Sequence, residues 1–295
     1  MSSEQTFMLV GLGEILWDML PTGKQLGGAP ANFAYHAQAL GAKGVVVSCI
    51  GDDELGKEIL SQLGGLGLDC GYIEVDKAHR TGTVTVKLDT NGVPDFTIHT
   101  NVAWDFIPLS PALLELAARA DAVCFGSLCQ RSDVSRDTVR RFLKETKSEC
   151  LRIFDINIRQ SYYSKDIVHA MLKMSNVLKL NDDELPLVAR LLDIKGPESE
   201  ILAELVARYD LRLVVLTKGA EGSRLYGKDG DSTCEGIPPA KIADTVGAGD
   251  AFTAAVAVGL LRGMSLDEIN AHANRVASFV CSQDGATPNL PDDLI

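Results

Sequence analysis

Short apolar runs ending in glycine or a polar residue alternate with helical stretches along most of this 295-residue chain. No other feature restricts the fold as much. "FMLVGLG" (7–13) and "GVVVSCIG" (44–51) are brief and almost wholly apolar, which predicts strands buried on both faces. "PANFAYHAQALG" (30–41) puts Pro30 at a helix start, Ala31, Ala34, Ala37 and Leu40 on one face, and Gly41 at the stop. "ELGKEILSQLGG" (54–65) predicts a second helix. Further strands are expected at 122–127, 151–157, 176–181 and 211–217, with helices between them. Two more helices, at about 249–262 and 265–282, close the chain. Such alternation implies a largely parallel sheet flanked by helices.

The middle of the chain breaks the pattern. "TGTVTVKLD" (81–89) and "VPDFTIHT" (93–100) alternate polar and apolar residues, with "TNG" (90–92) between them, so a hairpin is expected. With "EILWDMLP" (14–21) these segments predict a small separate sheet, a lid on the α/β domain. The expected division is 1–13, 28–71 and 105–295 for the main domain, and 14–27 and 72–104 for the lid. Trp17, Phe96, Ile98 and Trp104 are candidates for the lid's apolar face, although such stripes are more often core.

The formal net charge is -12, which argues against non-specific nucleic-acid binding but leaves room for a phosphorylated small ligand. No run reaches 18 apolar residues, and the start lacks the pattern of a signal peptide, so no membrane partner is expected. Seven scattered cysteines form no CxxC and lack nearby histidines. Zinc is not expected, and reduced thiols in the cytoplasm are.

"DTVGAGDAF" (244–252) opens one of the closing helices. The first N–H groups of a helix lack internal partners and carry partial positive charge. Gly247, Ala248 and Gly249 would let an anion approach them closely, as a phosphate-binding site requires. A carboxylate beside that hole repels a phosphate, so Asp250 is out of place as a mere binder. It makes sense as a base that takes the proton of a hydroxyl attacking the phosphate. The plain alternative is charge–dipole stabilisation of the helix start. There is no GxxxxGK[ST] loop, and "GLGEIL" (11–16) has Leu16 where a dinucleotide fingerprint needs its third glycine.

"GGAPANFAYHAQALG…IGDDELG" near the start and "DTVGAGDAF" near the end, about 215 residues apart, together resemble the two signatures of the PfkB or ribokinase-like carbohydrate kinases. The first has Gly27, Gly28 and Asn32 ahead of Ala34, with glycines at 41 and 51. The resemblance covers nearly the whole chain. "GEILWDMLP", "GGAPANFA" and "FDINIR" look most like the fructokinase branch. It implies a ribokinase-like three-layer α/β/α domain, a mostly parallel central sheet and a small β lid. It also implies an ATP-dependent sugar kinase using Mg²⁺ and K⁺, with D-fructose to D-fructose 6-phosphate as the expected reaction. Ribokinase, 2-keto-3-deoxygluconate kinase, nucleoside kinase and a non-catalytic sugar-binding relative are the alternatives. Lid edges pair subunits in many relatives, so a homodimer is expected.

Residue by residue, Asp250 matches the family's base, and Gly247, Ala248 and Gly249 its anion hole. Asp18 matches an acid that binds sugar hydroxyls, while Gly28 and Asn32 match a second sugar contact; Asn32 could equally be a helix cap. Arg159 in "DINIR" could face phosphate or substrate oxygens, or solvent, and Arg131 is a weaker candidate of the same kind. Asn181 and Glu184 of "NDDE" match the motif that helps place Mg²⁺, partly through water, and the nucleotide phosphates; capping is their plain reading. Thr217, Lys218, Gly219 and Gly222 of "TKGAEG" match the nucleotide segment, and Asn274 a position beside the adenine. Asp244, Val246, Val280, Gln283, Gly285 and Asn289 match positions around a monovalent cation.

Overall fold

A computed structural model describes residues 6–88, 94–239 and 241–295. The order begins with β1 (Met8–Leu12), β2 (Leu16–Leu20), β3 (Gly23–Gly27), α1 (Ala29–Ala39), β4 (Lys43–Gly51), α2 (Glu54–Gly65), β5 (Asp69–Asp76), β6 (Gly82–Leu88) and β7 (Pro94–Ile98). It continues with α3 (Pro111–Arg119), β8 (Ala122–Phe125), α4 (Asp133–Glu145), β9 (Leu151–Asp155), α5 (Lys165–Leu172), β10 (Val177–Asn181), α6 (Glu184–Leu191), α7 (Glu198–Tyr209) and β11 (Leu213–Thr217). β12 (Ser223–Gly227), β13 (Gly230–Cys234), α8 (Ala248–Leu261) and α9 (Leu266–Cys281) complete it.

Among the described residues, nine strands form the main sheet in the order β13-β12-β11-β10-β9-β8-β1-β4-β5. Neighbours from β11 to β5 are parallel; β12 and β13 add an antiparallel edge. Alternate side chains feed two cores. Val10, Val123, Phe154, Leu178 and Val214 pack on the layer holding α3 to α7. Leu9, Ala122, Ile153, Val177 and Leu213 pack under α1, α8 and α9. α2 joins the second layer through Ile59 and Leu63, which meet Tyr35 and Val46. The three-layer expectation holds.

Sequence reading missed β12 and β13, whose mixed polar residues lack a clear period, and β5, which it divided between two domains. The expected boundary at 71/72 falls inside β5, and this strand pairs with β4 in the main sheet. The chain enters the lid later, at β6, because Asp76 ends β5 by capping the turn at Ala78 and His79.

The lid is a four-stranded sheet in the order β3-β2-β6-β7, with β2 and β6 parallel and the other pairs antiparallel. β6 and β7 are the two arms of the expected hairpin; its turn at 90–92 lies outside the described residues. For most of the apolar stripe the core alternative holds. Trp17 and Trp104 are buried, Trp17 packing with α2 and Trp104 in the main core, and only Phe96 of the four is well exposed. Trp17 donates from Nε1 to Leu55 O at 3.0 Å, and Lys24 on β3 pairs with Glu58, so the lid is fastened to α2. Among the described residues, no helix is long and apolar enough to cross a membrane.

Candidate active site

The carboxyl ends of the parallel strands meet the amino end of α8, the usual place for a ligand in an open α/β sheet. α8 starts from Gly247, whose φ of 81° is left-handed. A Cβ there would lie 2.5 Å from Ala286 O, so both conformation and space demand glycine. Ala248 and Gly249 form the first turn, where the leading N–H groups of a helix lack partners one turn back; Ala248 N makes a long bond to Thr245 O at 3.4 Å. The loop behind is fixed by His36, which is buried and held neutral, its pKa lowered to about 4 mainly by burial. Its Nε2 donates to Ala286 O at 2.9 Å.

Asp250 projects from this turn and remains partly exposed to the cleft. Asn32 on α1 donates from Nδ2 to Asp250 Oδ2 at 2.8 Å. The two signatures, expected to act on one substrate, thus touch directly. Burial raises Asp250 to about 7, and Asp155 pushes it the same way. The Asn32 bond, Lys179 and Arg159 act against the rise. A carboxyl poised near neutrality suits a general base.

Asp18 sits on β2, its Oδ2 only 2.5 Å from where a Cβ on Gly27 would lie, so glycine makes room for the carboxylate. Burial raises its pKa and Arg159 opposes the rise. Gly28, with φ 121°, packs on Glu14; a Cβ would meet Glu14 O at 2.5 Å. Glu14 is a buried acid that sequence reading passed over, with Oε2 unpartnered. Burial raises its pKa, while Arg159 and Arg131 pull it down. Arg159 therefore lies in the field of three acids: Glu14, Asp18 and Asp250. It is exposed, and its Nη1 donates to the neighbouring Ile158 O at 3.2 Å. Its loop is strained, with Asn157 at φ 41° and Gln160 at φ 49°.

Arg131 has a different place from the one expected. Its guanidinium pairs with Asp105 at 2.8 and 2.9 Å and donates to His99 O at 2.6 Å. It also stacks on Trp104 and Tyr162. These contacts tie the lid's exit to the main domain and leave only Nη1 unpartnered. Two more bonds reach the edge of β7: Gln160 Nε2 to Phe96 O at 2.5 Å and Tyr162 Oη to Ile98 O at 3.4 Å.

At the end of β10, Asn181 and Glu184 form a reciprocal cap. Glu184 N donates to Asn181 Oδ1 at 2.8 Å, and Asn181 N to Glu184 Oε2 at 2.9 Å. Glu184 Oε1 accepts Ile158 N at 2.8 Å, binding α6 to the Arg159 loop. Capping, the plain reading of these two residues, is what the bonds show, and each bonded oxygen keeps a second lone pair. Thr217 lies beside Asn181 in register, and Gly219 and Gly222 turn with φ 52° and 101°. Lys218 Nζ pairs with Glu198 Oε2 at 2.7 Å, an attraction that draws the ammonium to α7. Asn274 spends its amide hydrogens on Ser223 Oγ (2.7 Å) and on Asn270. Only its oxygen remains for a ligand.

The positions assigned to a monovalent cation fall on the loop before α8 and on the end of α9 with the loop that follows it, and the two meet. Ala243 N and Asp244 N donate to Cys281 O, next to Val280, and Val246 N donates to Asp244 Oδ1 at 3.0 Å. Gln283 and Gly285 (φ 78°) follow, and Asn289 Oδ1 accepts from Tyr35 at 3.3 Å. Among the described residues, no group of three or more His, Cys, Asp or Glu side chains is arranged to hold a metal. That does not test a site built from carbonyl oxygens.

Sequence reading also missed Lys179 and did not single out Asp155. They are in-register neighbours on β10 and β9, both buried, with Nζ to Oδ1 at 3.2 Å. The available signal was a lysine inside the apolar strand "NVLKLN" (176–181), a place a charge occupies only when paired.

The model of pfkB family carbohydrate kinases matches residues 21–293. A fructokinase of Klebsiella pneumoniae is 30% identical over 302 residues, covering 96% of each chain. An uncharacterized sugar kinase from Pyrococcus horikoshii is 29% identical over 98% of this chain and 94% of that one. Its ATP complex has a TM-score of 0.78 and 26% identity, covering 98% of this chain and 96% of that chain. A fructokinase with bound ATP from Xylella fastidiosa shares the fold, with a TM-score of 0.84 at 18% identity over 97% of this chain and 95% of that one.

Proposed function

The chain belongs to the pfkB family of carbohydrate kinases and is an ATP-dependent sugar kinase, and from that premise we propose that it phosphorylates D-fructose to D-fructose 6-phosphate. The observation that carries the mechanism is Asp250, near neutrality at the open end of α8 and bonded to Asn32. Asp250 takes the proton of the primary hydroxyl as its oxygen attacks the γ-phosphorus. The bond from that phosphorus to the bridging oxygen of ADP breaks, and the N–H groups of Gly247, Ala248 and Gly249 hold the moving charge. Asp18, an acceptor-only carboxylate, and Asn32, with both donor and acceptor, suit a polyol. Gly28 lets the chain pass close to Glu14 just ahead of Asn32, and Arg159 offsets the surrounding acids.

ATP lies along Thr217, Gly219 and Gly222, with adenine toward the free oxygen of Asn274. Asn181 and Glu184, their oxygens already holding backbone N–H groups, keep lone pairs for the waters of Mg²⁺. Mg²⁺ would neutralise charge on the nucleotide phosphates. Backbone oxygens near Asp244, Val246, Val280, Gln283 and Gly285 suit K⁺, and equal activity in sodium and potassium buffers would remove it. A cytoplasmic homodimer joined through the lid completes the reading.

The test is ADP release with Mg-ATP and K⁺ on fructose, ribose, 2-keto-3-deoxygluconate, glucose, adenosine and fructose 6-phosphate, with Asp250→Ala as blank. Turnover on fructose is expected. Preference for the sugar acid would show that exposed Arg159 binds a carboxylate. No turnover on any acceptor, with ATP still bound, would overturn the reading.

A further inference from the structure

Lys179 stands where a charge is costly, in the middle of β10 and under the helix that carries the base. Its Nζ is 3.2 Å from Asp155 Oδ1, and it lies 3.3 Å from where a Cβ on Gly249 would be. Asp155 is held on its other side by Thr253 Oγ1, which donates to Oδ2 at 3.1 Å. The same hydroxyl lies 2.9 Å from Gly249 O. A chain of contacts thus runs from two adjacent strands into the first turn of α8. Burying an ion pair this deeply is a poor way to gain stability, since apolar residues of similar size do as well or better. Its position explains its presence.

We propose that Asp155, Lys179 and Thr253 form a positioning unit that fixes the first turn of α8 and sets the charge under which Asp250 works. This deepens the reading above, since it assumes Asp250 is the base. Asp250 is faced by Asn32 from α1, Cys124 from β8, Asp155 from β9, Lys179 from β10 and Arg159 from the loop after β9. Glu184 on α6 competes for the same ammonium. Burial tends to lower the pKa of Lys179, but Asp155, Glu184 and Asp250 outweigh it and keep the side chain charged. Asp155 and Lys179 act on Asp250 with opposite sign, so removing each alone has opposite consequences.

The experiment compares wild type, Asp155→Asn, Lys179→Met and the double variant. The pH profile of kcat/KM for the acceptor sugar is read in each. Lys179→Met should move the acid limb up by about one pH unit and Asp155→Asn down by a similar amount, as expected for a charged neighbour. The double variant should fall between them. Lys179→Met leaves Asp155 buried and unpaired, so it is the variant most at risk of misfolding; the double variant and Asp155→Asn stand without it. A merely structural role predicts lower rates with an unmoved acid limb, and that result would overturn the proposal. The titration of Asp250 is also read without turnover, from the pH dependence of the melting-temperature difference between each background and its Asp250→Asn derivative. Opposite shifts there in an enzyme inactive on every sugar would uphold the unit and overturn the kinase reading. Unmoved titration in an active enzyme would do the reverse.

Discussion

At the floor of the cleft, polar side chains bond to one another: Asn32 to Asp250, Lys179 to Asp155, Thr253 to Asp155. At the lid, side chains of the main domain reach instead for main-chain oxygens, at Phe96, Ile98 and His99. The first arrangement depends on side-chain identity and position, and it belongs to strands and helices packed on both sides. The second grips backbone, so it tolerates change in what the lid displays toward a substrate. The proposed function puts the chemistry at the floor and leaves specificity to the part that can vary.

If that division holds, floor variants should lower kcat and lid variants should change KM or stability. The largest effect is expected for Asp250→Asn, with kcat down roughly 10²–10⁴-fold and the fold intact, measured by steady-state kinetics and circular dichroism. The wild-type kcat/KM should fall below about pH 7, where the base takes up its proton. The same variant should change stability with a definite sign. Asp250 binds its proton more tightly when folded, so its contribution is most favourable at low pH and is lost as pH rises from the ordinary carboxyl range through about 7. Asp250→Asn should therefore melt higher than wild type at pH 8, and by less at pH 5. A lower melting point at pH 8 would mean that the floor is held together by the base's charge.

Trp17→Ala tests the fastening of the lid. Removing this buried ring should cost about 3–5 kcal/mol in urea unfolding. Smaller still, Tyr162→Phe and Gln160→Ala should each raise KM for the sugar about fivefold, the worth of roughly one hydrogen bond, and leave kcat within twofold. A hundredfold loss of kcat from either would erase the distinction between floor and lid. Least of all, Lys218→Met should change KM for ATP less than twofold, because its ammonium is engaged with Glu198 in a half-exposed pair worth about 0–1 kcal/mol.

The sequence made the floor's outline legible because glycine has few substitutes where a helix starts from φ 81° or a backbone must pass close by. The candidate anion hole and Asp250 were read that way, and Asn32 through the signature that surrounds it. The strands of the main sheet showed as apolar runs. What escaped lay in relations between distant elements. No periodicity announces that Lys179 and Asp155 are in register, and Glu14 reads as any acid after a glycine until Gly28 packs against it. The pairing of Lys218 with Glu198 and of Arg131 with Asp105 was not legible, because each acid is distant in sequence from its cation. Whether the two tryptophans face the lid or the core stayed open, because a sequence does not show what lies opposite a side chain. β5 was divided because a strand of mixed polarity at a sheet edge has no distinctive pattern.

The bond from Asn32 to Asp250 spans 218 positions, and α1 buries Ala31, Phe33, Ala34 and Ala37 in the layer it shares with α8. Synthesis delivers those two helices far apart in time. While the intervening chain emerges, α1 has an apolar face without its final cover and an asparagine without its acid. The last quarter of the chain therefore closes the fold and switches on the activity in one event, and a ribosome that stalls before α8 leaves behind a sticky, inert fragment rather than a weak enzyme.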